Sequence, residues 1–199
     1  MRLFAVMLLC SGAAFFLACA DAQPAPVPLV LSIRDGQILA PGDSTYLIPH
    51  WGDSAYIILY CVRHADKVRD GSKDPGLTAE GQARAERLGR ILAQVPLTRI
   101  CTTPYRRTML TGEAVQRRAG EPPFETYPPE AQDVWTDSVL ASGGGKQYVV
   151  VGHQNTIPQL LNRLTGKLSY QNLGDYEYDR FFVVVTRGLG QTEVLECRY

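Results

Sequence analysis

The sequence is poor in the residues that build metal and redox centres. Its 199 residues include five cysteines and three histidines, and it has no CxxC pair of the kind that binds zinc or does redox work. Lys and Arg together number 20, as do Asp and Glu, so no excess of positive charge points to a nucleic-acid partner. No internal repeat or heptad pattern occurs. The length fits one well-buried domain and is too short for two ordinary ones.

The one long hydrophobic run lies at the N-terminus. Residues 3–16 are almost wholly apolar and too short for a stable bilayer span, so residues 1–19 are predicted to be a secretory signal. The letters FLAC that end at Cys19 resemble a bacterial lipoprotein cleavage box, which would make Cys19 a lipid anchor. Cleavage after the ACA triplet would instead release a free protein. We therefore expect an exported protein, periplasmic or membrane-anchored through that lipid alone, with residues 20–28 as a Pro-rich tether.

Residues 29–199 are predicted to form a single domain that begins with an N-terminal extension, residues 29–53. Asp35-Gly36 predicts a tight hairpin turn in it, followed by a polar connection over residues 41–53. His50 in that connection is expected to have a surface or packing role. Two roles stay open for the extension: an edge hairpin on the main sheet, or a wall of the pocket mouth.

Strands and helices alternate along the rest of the chain. Strands are predicted at residues 55–62, 98–103, 148–151, 181–186 and 192–197, and helices at residues 78–95, 105–119, 130–140 and 156–164. Residues 121–129 contain four prolines and are predicted to be a loop. This order predicts an α/β fold: a three-layer sandwich with a mostly parallel central sheet and helices on both faces.

Three cysteines lie within the predicted domain. Cys61, Cys101 and Cys197 are expected to be mostly buried thiols, because their number is odd and a chain of this size needs no disulfide framework. A bridge between Cys61 and Cys101, which lie in two predicted strands of one sheet, stays open.

Polar residues capable of chemistry follow three of the predicted strands. Arg63-His64 follows the first, Arg106-Arg107 the second and His153 the third. Because the carboxyl ends of parallel strands meet at one edge of a sheet, these groups are expected to converge. Guanidinium groups bind phosphate oxygens, and a neutral imidazole is a competent phosphoryl acceptor. The pattern favours a phosphoryl-transfer pocket without metal.

Four segments carry a resemblance to a known family. CVRHADK, LTAEGQARAERLGRIL, TTPYRRTMLTGEAV and VVVGHQNTIPQLLNRLTG resemble the successive signatures of the histidine phosphatase superfamily, which has the phosphoglycerate-mutase-like fold, and most closely its short exported bacterial members. The resemblance implies that His64 is the nucleophile that becomes phosphorylated, that Arg63 and Arg107 bind the phosphate, and that His153 is the second histidine of the pocket. It also implies a small phosphorylated substrate and no metal or organic cofactor.

The proton donor for the leaving group is not evident. One large branch of the family has Asp directly after the second histidine, where this chain has Gln154. The carboxylates that remain as candidates are Asp66, Glu125, Glu130 and Asp133. A good leaving group, such as that of an acyl phosphate, phosphohistidine or pyrophosphate, would need such an acid less.

The sequence therefore predicts a phosphatase that hydrolyses a phosphoester or phosphoanhydride through a phosphohistidine on His64. One alternative is an envelope lipoprotein that binds a phosphate-bearing ligand without catalysis. A less favoured alternative is a phosphomutase, because no extra segment is evident that would close the pocket. The oligomeric state is not predicted.

Overall fold

The computed structural model describes residues 27–199, so the predicted signal, Cys19 and most of the predicted tether lie outside the described residues. The strands are β1 (Ser32–Arg34), β2 (Gln37–Leu39), β3 (Thr45–Leu47), β4 (Ile57–Arg63), β5 (Arg99–Thr102), β6 (Phe124–Thr126), β7 (Gln147–Gly152), β8 (Arg180–Thr186) and β9 (Thr192–Arg198). The α-helices are α1 (Ala79–Leu92), α2 (Arg106–Arg118), α3 (Gln132–Ala141) and α4 (Thr156–Thr165), and a 3-10 turn at Pro129–Ala131 precedes α3. None of these helices has the length and apolar character needed to cross a bilayer.

Six strands form the central sheet, in the order β6-β5-β7-β4-β8-β9. The first four strands in this order run parallel, and β8 and β9 are antiparallel to their neighbours. Every residue of β4 and β7 is buried, as expected for strands covered on both faces. The predicted α/β sandwich with a mostly parallel sheet is confirmed, and the antiparallel pair makes the sheet mixed.

The side chains of β4 alternate between two helical layers. Tyr60 packs in a cluster with Leu88 of α1 and Val115 of α2, whereas Leu59 packs with Leu160 of α4 on the opposite face. This alternation follows from the two-residue period of a strand. The carboxyl ends of the adjacent parallel strands β4, β5 and β7 lie at one edge of the sheet, where loops and helix starts meet.

The loop after β4 is tied to the start of α1. The Thr78 hydroxyl accepts a hydrogen bond from the Gly81 N–H at 3.0 Å, so Thr78 is the N-cap of α1. The Thr78 N–H in turn donates to the Asp66 carbonyl at 2.9 Å. A Cβ at Gly81 would lie 2.1 Å from that carbonyl oxygen, so only glycine permits this close approach.

The N-terminal extension forms a separate three-stranded sheet, β1-β2-β3. The predicted hairpin is confirmed: Asp35 and Gly36 have φ values of 47° and 78°, the pair of positive values that a type I′ turn needs. The prediction of a polar connection missed β3, whose three residues are all exposed and lack a hydrophobic pattern. Neither open role fits, because the β1-β2 hairpin joins neither the central sheet nor the cavity at the carboxyl ends of the strands. The extension contacts β9 through a bridge of Leu29 to Arg198 and an ion pair of His50 with Glu193.

The predicted loop over residues 121–129 is wrong in its centre, where β6 pairs in parallel with β5. The Ile100 N–H donates to the Pro123 carbonyl and the Tyr127 N–H donates to the Thr102 carbonyl, both at 2.9 Å. The four prolines flank this short strand, so none removes a donor from its pairing.

The three cysteines of the described chain are free buried thiols, as expected. Cys61 and Cys101 both pair in register with Val150, from opposite sides of β7. Two strand spacings, about 10 Å, separate them, which is beyond the reach of a disulfide. The open possibility of a Cys61–Cys101 bridge is therefore excluded. Burial raises the pKa of Cys101 and of Cys197 to about 12, so both stay protonated at neutral pH.

Candidate active site

The four residues that the sequence singled out lie together at the carboxyl edge of the parallel strands. Arg63 ends β4 in register with Gly152 of β7, and the His64 N–H donates to the Gly152 carbonyl at 2.9 Å. The rings of His64 and His153 lie 5.6 Å apart between centroids, with their planes at 68°. Arg107 joins them from the first turn of α2.

These residues line a cavity of about 340 Å³. Its lining residues are Arg63, His64, Lys67, Tyr105, Arg107, Pro129, His153, Gln154, Asn155 and Thr156. Three of them are cationic and none carries a carboxyl group. The N-termini of α2 and α4 open onto the same space, and their backbone dipoles add to the positive potential. The cavity is built for a small anion.

The tautomer of His64 follows from its hydrogen bond. Nδ1 lies 2.8 Å from the carbonyl oxygen of Ala65, and a carbonyl can only accept, so Nδ1 carries the proton. The side chain is 2% exposed, which fixes the ring. The lone pair of a neutral His64 is therefore on Nε2, the atom that can attack phosphorus.

Both imidazoles are held in the neutral form. Burial lowers the pKa of His64 to about 3 and outweighs the bond to Ala65, which raises it; the charges of Arg63 and Arg107 act in the same direction as burial. Burial, with Arg107 and Arg63, also lowers the pKa of His153 to about 4. A neutral His64 keeps its nucleophilic lone pair throughout the physiological pH range.

His153 is held by the ends of β5 and β7. Its Nε2 lies 2.8 Å from the hydroxyl oxygen of Thr103, and that oxygen lies 3.1 Å from the hydroxyl oxygen of Thr108. The backbone N–H of His153 donates to the Thr156 hydroxyl at 2.9 Å, and the ring of Tyr105 meets the imidazole edge-on at 5.2 Å. The orientation of this ring is therefore set before any ligand binds.

Arg63 is held more tightly than the sequence indicated. One terminal nitrogen donates to the Gly174 carbonyl at 2.7 Å, and the other donates to Oε1 of Gln154 at 2.8 Å. The guanidinium carbon lies 4.3 Å from the centre of the Tyr178 ring. Its Nε is buried without a partner among the described residues. A buried donor of this kind is unfavourable unless a ligand or water satisfies it.

Arg107 is anchored by a single loop carboxylate. Its terminal nitrogen lies 3.6 Å from Asp74, which also accepts the N–H of Arg106 at 3.0 Å. The guanidinium lies 4.6 Å from the centre of the Tyr105 ring. Its buried Nε likewise has no partner in the described part of the chain. Arg63 and Arg107 thus each line the cavity and each have a buried Nε without a partner among the described residues.

None of the four candidate proton donors lines this cavity. Asp66 accepts a hydrogen bond from Arg84 at 2.7 Å, and Glu125 is paired with Arg99. Glu130 and Asp133 line a neighbouring groove that shares only Pro129 with the cavity. Asp66 and Glu125 are thus turned to arginines outside the cavity lining.

Sequence reasoning missed some residues of the site. Lys67 and Tyr105 stand beside the predicted residues in the loops that follow β4 and β5, so their place after a strand was an available signal. The loop over residues 174–178 offered no such signal, because it reaches Arg63 only through the fold. His50 lies outside the cavity: its ring stacks on Tyr56 at 3.8 Å. Within residues 27–199, no group of three or more His, Cys, Asp or Glu side chains could hold a metal ion.

Part of the chain matches a family model. The model of the histidine phosphatase superfamily (branch 1) matches residues 59–128, from β4 to just past β6. The α/β fold is also that of the phosphoglycerate-mutase-like histidine phosphatases. The chain thus has a sequence signature and the fold of the histidine phosphatase superfamily. No curated protein sequence matches it.

Several solved structures share the fold at low sequence identity. The protein histidine phosphatase SixA complexed with tungstate is 17% identical, with a TM-score of 0.60 over 71% of this chain and 96% of SixA. A mycobacterial glucosyl-3-phosphoglycerate phosphatase is 14% identical, with a TM-score of 0.59 over 72% of this chain and 98% of its own. A phosphoglycerate mutase from Bacillus anthracis is 16% identical, with a TM-score of 0.57 over 72% of this chain and 93% of its own. At these identities the likeness concerns the fold.

Proposed function

We propose that the protein is a phosphatase that uses His64 as a nucleophile and passes through a phosphohistidine intermediate. The observation that carries this proposal is the hydrogen bond of His64 Nδ1 to the Ala65 carbonyl at 2.8 Å, which directs the lone pair to Nε2. That nitrogen belongs to a cavity with two guanidinium groups and no carboxylate. A phosphorylated substrate therefore meets a neutral nucleophile and a positive surrounding.

The reaction proceeds in two steps. Nε2 of His64 bonds to phosphorus while the bond from phosphorus to the leaving oxygen breaks. Water then attacks the phosphoryl group, the P–N bond breaks, and its electron pair returns to Nε2. The equatorial oxygens carry negative charge in both steps, and Arg63, Arg107 and His153 bind them in positions fixed in advance. None of these steps calls for a metal, and we propose that the enzyme acts without one.

Two histidine variants of the full chain test this proposal. With p-nitrophenyl phosphate as substrate and a chelator present, we expect His64→Ala to lower kcat by on the order of a thousandfold or more, as loss of a nucleophile does. His50→Ala is the matched control and should retain the wild-type rate. A neutral or alkaline quench followed by mass spectrometry should find one phosphoryl group on the peptide that contains His64.

Two results would contradict the proposal. Equal rates for the wild type and His64→Ala would place the chemistry elsewhere, and loss of activity on chelation would contradict the metal-free route. If the wild type binds vanadate but turns over no phosphorylated substrate, the chain is a binding protein, the alternative that the sequence left open.

We also propose that the protein is exported and carries a lipid on Cys19. The support is the sequence of residues 1–19 alone. In cells of a Gram-negative host, the wild type should incorporate labelled palmitate and enter the detergent phase, and Cys19→Ser should do neither. An unlabelled, released wild-type protein would indicate a free periplasmic form.

A further inference from the structure

Lys67 differs from the other two cations of the cavity in having no acceptor among the described residues. Arg63 has backbone carbonyl and amide acceptors, and Arg107 has Asp74 at 3.6 Å. Lys67 also lines the cavity and is half-buried, but its ammonium group makes no ion pair or hydrogen bond with any residue in the range 27–199. An ammonium that lines the cavity and has no counter-charge among the described residues is available to a bound anion.

The three acids of its own loop have other partners. Asp66 pairs with Arg84, Asp70 accepts the N–H of Ser72 at 3.0 Å, and Asp74 caps the start of α2. None of the three neutralises Lys67, although all lie within seven residues of it. The ammonium of Lys67 therefore has no counter-charge in its own loop.

The position of Lys67 is set by the backbone. Lys67 forms an antiparallel bridge with Leu77, and the next residue, Val68, donates to the Gly76 carbonyl at 3.0 Å. These contacts hold the residue three positions after the nucleophile, at the side of the cavity formed by the loop. The side chain also acts on the far wall, because Lys67 is one of the charges, after burial, Arg107 and Arg63, that lower the pKa of His153.

The charges of the cavity exceed what a transferred phosphoryl group needs. Arg63, Arg107 and His153 already serve its equatorial oxygens under the proposed function. Lys67 adds a further positive charge, and no lining carboxylate offsets it. The same absence means that no carboxylic acid is at hand to protonate an alcohol as it leaves. Both facts favour a leaving group that is itself anionic.

We propose that Lys67 binds the leaving group and that the substrate is a phosphoanhydride, whose leaving group is a second phosphate. This inference rests on the proposed function of His64. When Nε2 of His64 bonds to the terminal phosphorus, the bond to the bridging oxygen breaks and that oxygen keeps the electron pair. A phosphate is stable as an anion, so no proton has to be transferred to it, and the ammonium of Lys67 meets the added charge. In the second step water adds to the phosphoryl group, one of its protons stays on the released phosphate and the other passes to solvent.

The test compares two substrates whose leaving groups have similar acidity but different charge. Inorganic pyrophosphate releases a multiply charged phosphate, whereas p-nitrophenyl phosphate releases a singly charged phenolate. Loss of one charge-assisted hydrogen bond corresponds to roughly 10- to 100-fold, so Lys67→Met should lower the ratio of kcat/KM for pyrophosphate to kcat/KM for p-nitrophenyl phosphate by about that factor. Lys67→Arg should restore most of the ratio, since it restores the charge.

Lys73→Met is the matched control, because Lys73 is an exposed lysine of the same loop that does not line the cavity. It should leave the ratio unchanged. An unchanged ratio in Lys67→Met would overturn the role of Lys67. A wild-type enzyme that cleaves the aryl phosphate through His64 but leaves pyrophosphate intact would overturn the substrate class alone. Failure to cleave either compound would overturn the proposed function as well, so the two failures can be told apart.

Discussion

The chemistry of the site depends on neutral imidazoles set among positive charges. His64 is buried, and within residues 27–199 its ring makes one hydrogen bond, which Nδ1 donates to the neutral carbonyl of Ala65. Neither His64 nor His153 lies against a carboxylate that would favour its protonated form, and both lie near Arg63 and Arg107. Under the proposed function, the two arginines that bind the phosphate also add to the effect of burial in keeping His64 unprotonated.

This arrangement makes the stability of the fold depend on pH. Burial lowers the pKa of His64 to about 3 in the folded protein, whereas in the unfolded chain it is near its ordinary value of about 6.5. Between these values the unfolded chain binds more protons than the folded one, so the free energy of unfolding falls as the pH falls below about 6.5. We expect the contribution of His64 to approach about 1.4 kcal/mol per pH unit. Urea unfolding of the wild type at pH 7, 6 and 5 measures it.

His64→Gln removes the titrating group and provides the comparison. Its free energy of unfolding should decline less steeply over the same pH range, by up to the slope assigned to His64. Parallel curves for the two proteins would show that the pKa of His64 is the same in the folded and unfolded states, and the account of its lowered pKa would fail.

At the scale of elements, the loop that carries the nucleophile depends on how closely α1 approaches it. The contact between them leaves no space for a Cβ at Gly81, which would lie 2.1 Å from the Asp66 carbonyl oxygen. Gly81→Ala should gain about 1 kcal/mol in helix propensity but force apart the helix and the loop, and such overpacking costs about 1–3 kcal/mol. We expect a net loss of stability and, because Asp66 is two residues from His64, a lower kcat.

Gln82→Ala tests whether the effect belongs to the contact. Gln82 is the exposed neighbour of Gly81 in α1, so this change should alter the free energy of unfolding by no more than about 0.5 kcal/mol. Denaturant unfolding and the rate on p-nitrophenyl phosphate should be measured for both variants. If Gly81→Ala is as stable as Gln82→Ala, the close approach of α1 to the loop does not contribute to the free energy of unfolding.

The elements that sequence reasoning located are those with a local cause. Thr78 favours the start of α1 because it can cap the helix. Asp35-Gly36 predicts a hairpin because the pair suits a tight turn, and the apolar run of β4 predicts a buried strand. By contrast, β3 and β6 have three residues each and depend on the partner strand beside them. Their patterns are too short to distinguish a strand from a loop, and the prolines around β6 favoured the wrong prediction.

The same distinction applies to the site. His64, Arg107 and His153 could be predicted to converge because each follows a strand of one parallel sheet. The acceptors that hold Arg63 could not, since the loop over residues 174–177 comes more than 100 positions later and has no motif. Which loop acids are ion-paired also depends on contacts between distant elements, as for Asp66 and Arg84. The sequence therefore predicted which groups meet but not what restrains them.

For the molecule as a whole, the N-terminal extension is part of the core and not part of the cavity. Ile38 of β2 is fully buried in the same cluster as Leu88 of α1, and no residue of the extension lines the cavity. Ile38→Ala should therefore lower the free energy of unfolding by about 2–5 kcal/mol, as large-to-small core changes do. The kcat of the molecules that remain folded should be unchanged.

Leu47→Ala is the control, because Leu47 of the neighbouring strand β3 is 73% exposed and its replacement should change stability by no more than about 0.5 kcal/mol. Equal stabilities of the two variants would mean that the extension packs loosely on α1, and a loss of kcat in folded Ile38→Ala would mean that it acts on the site after all.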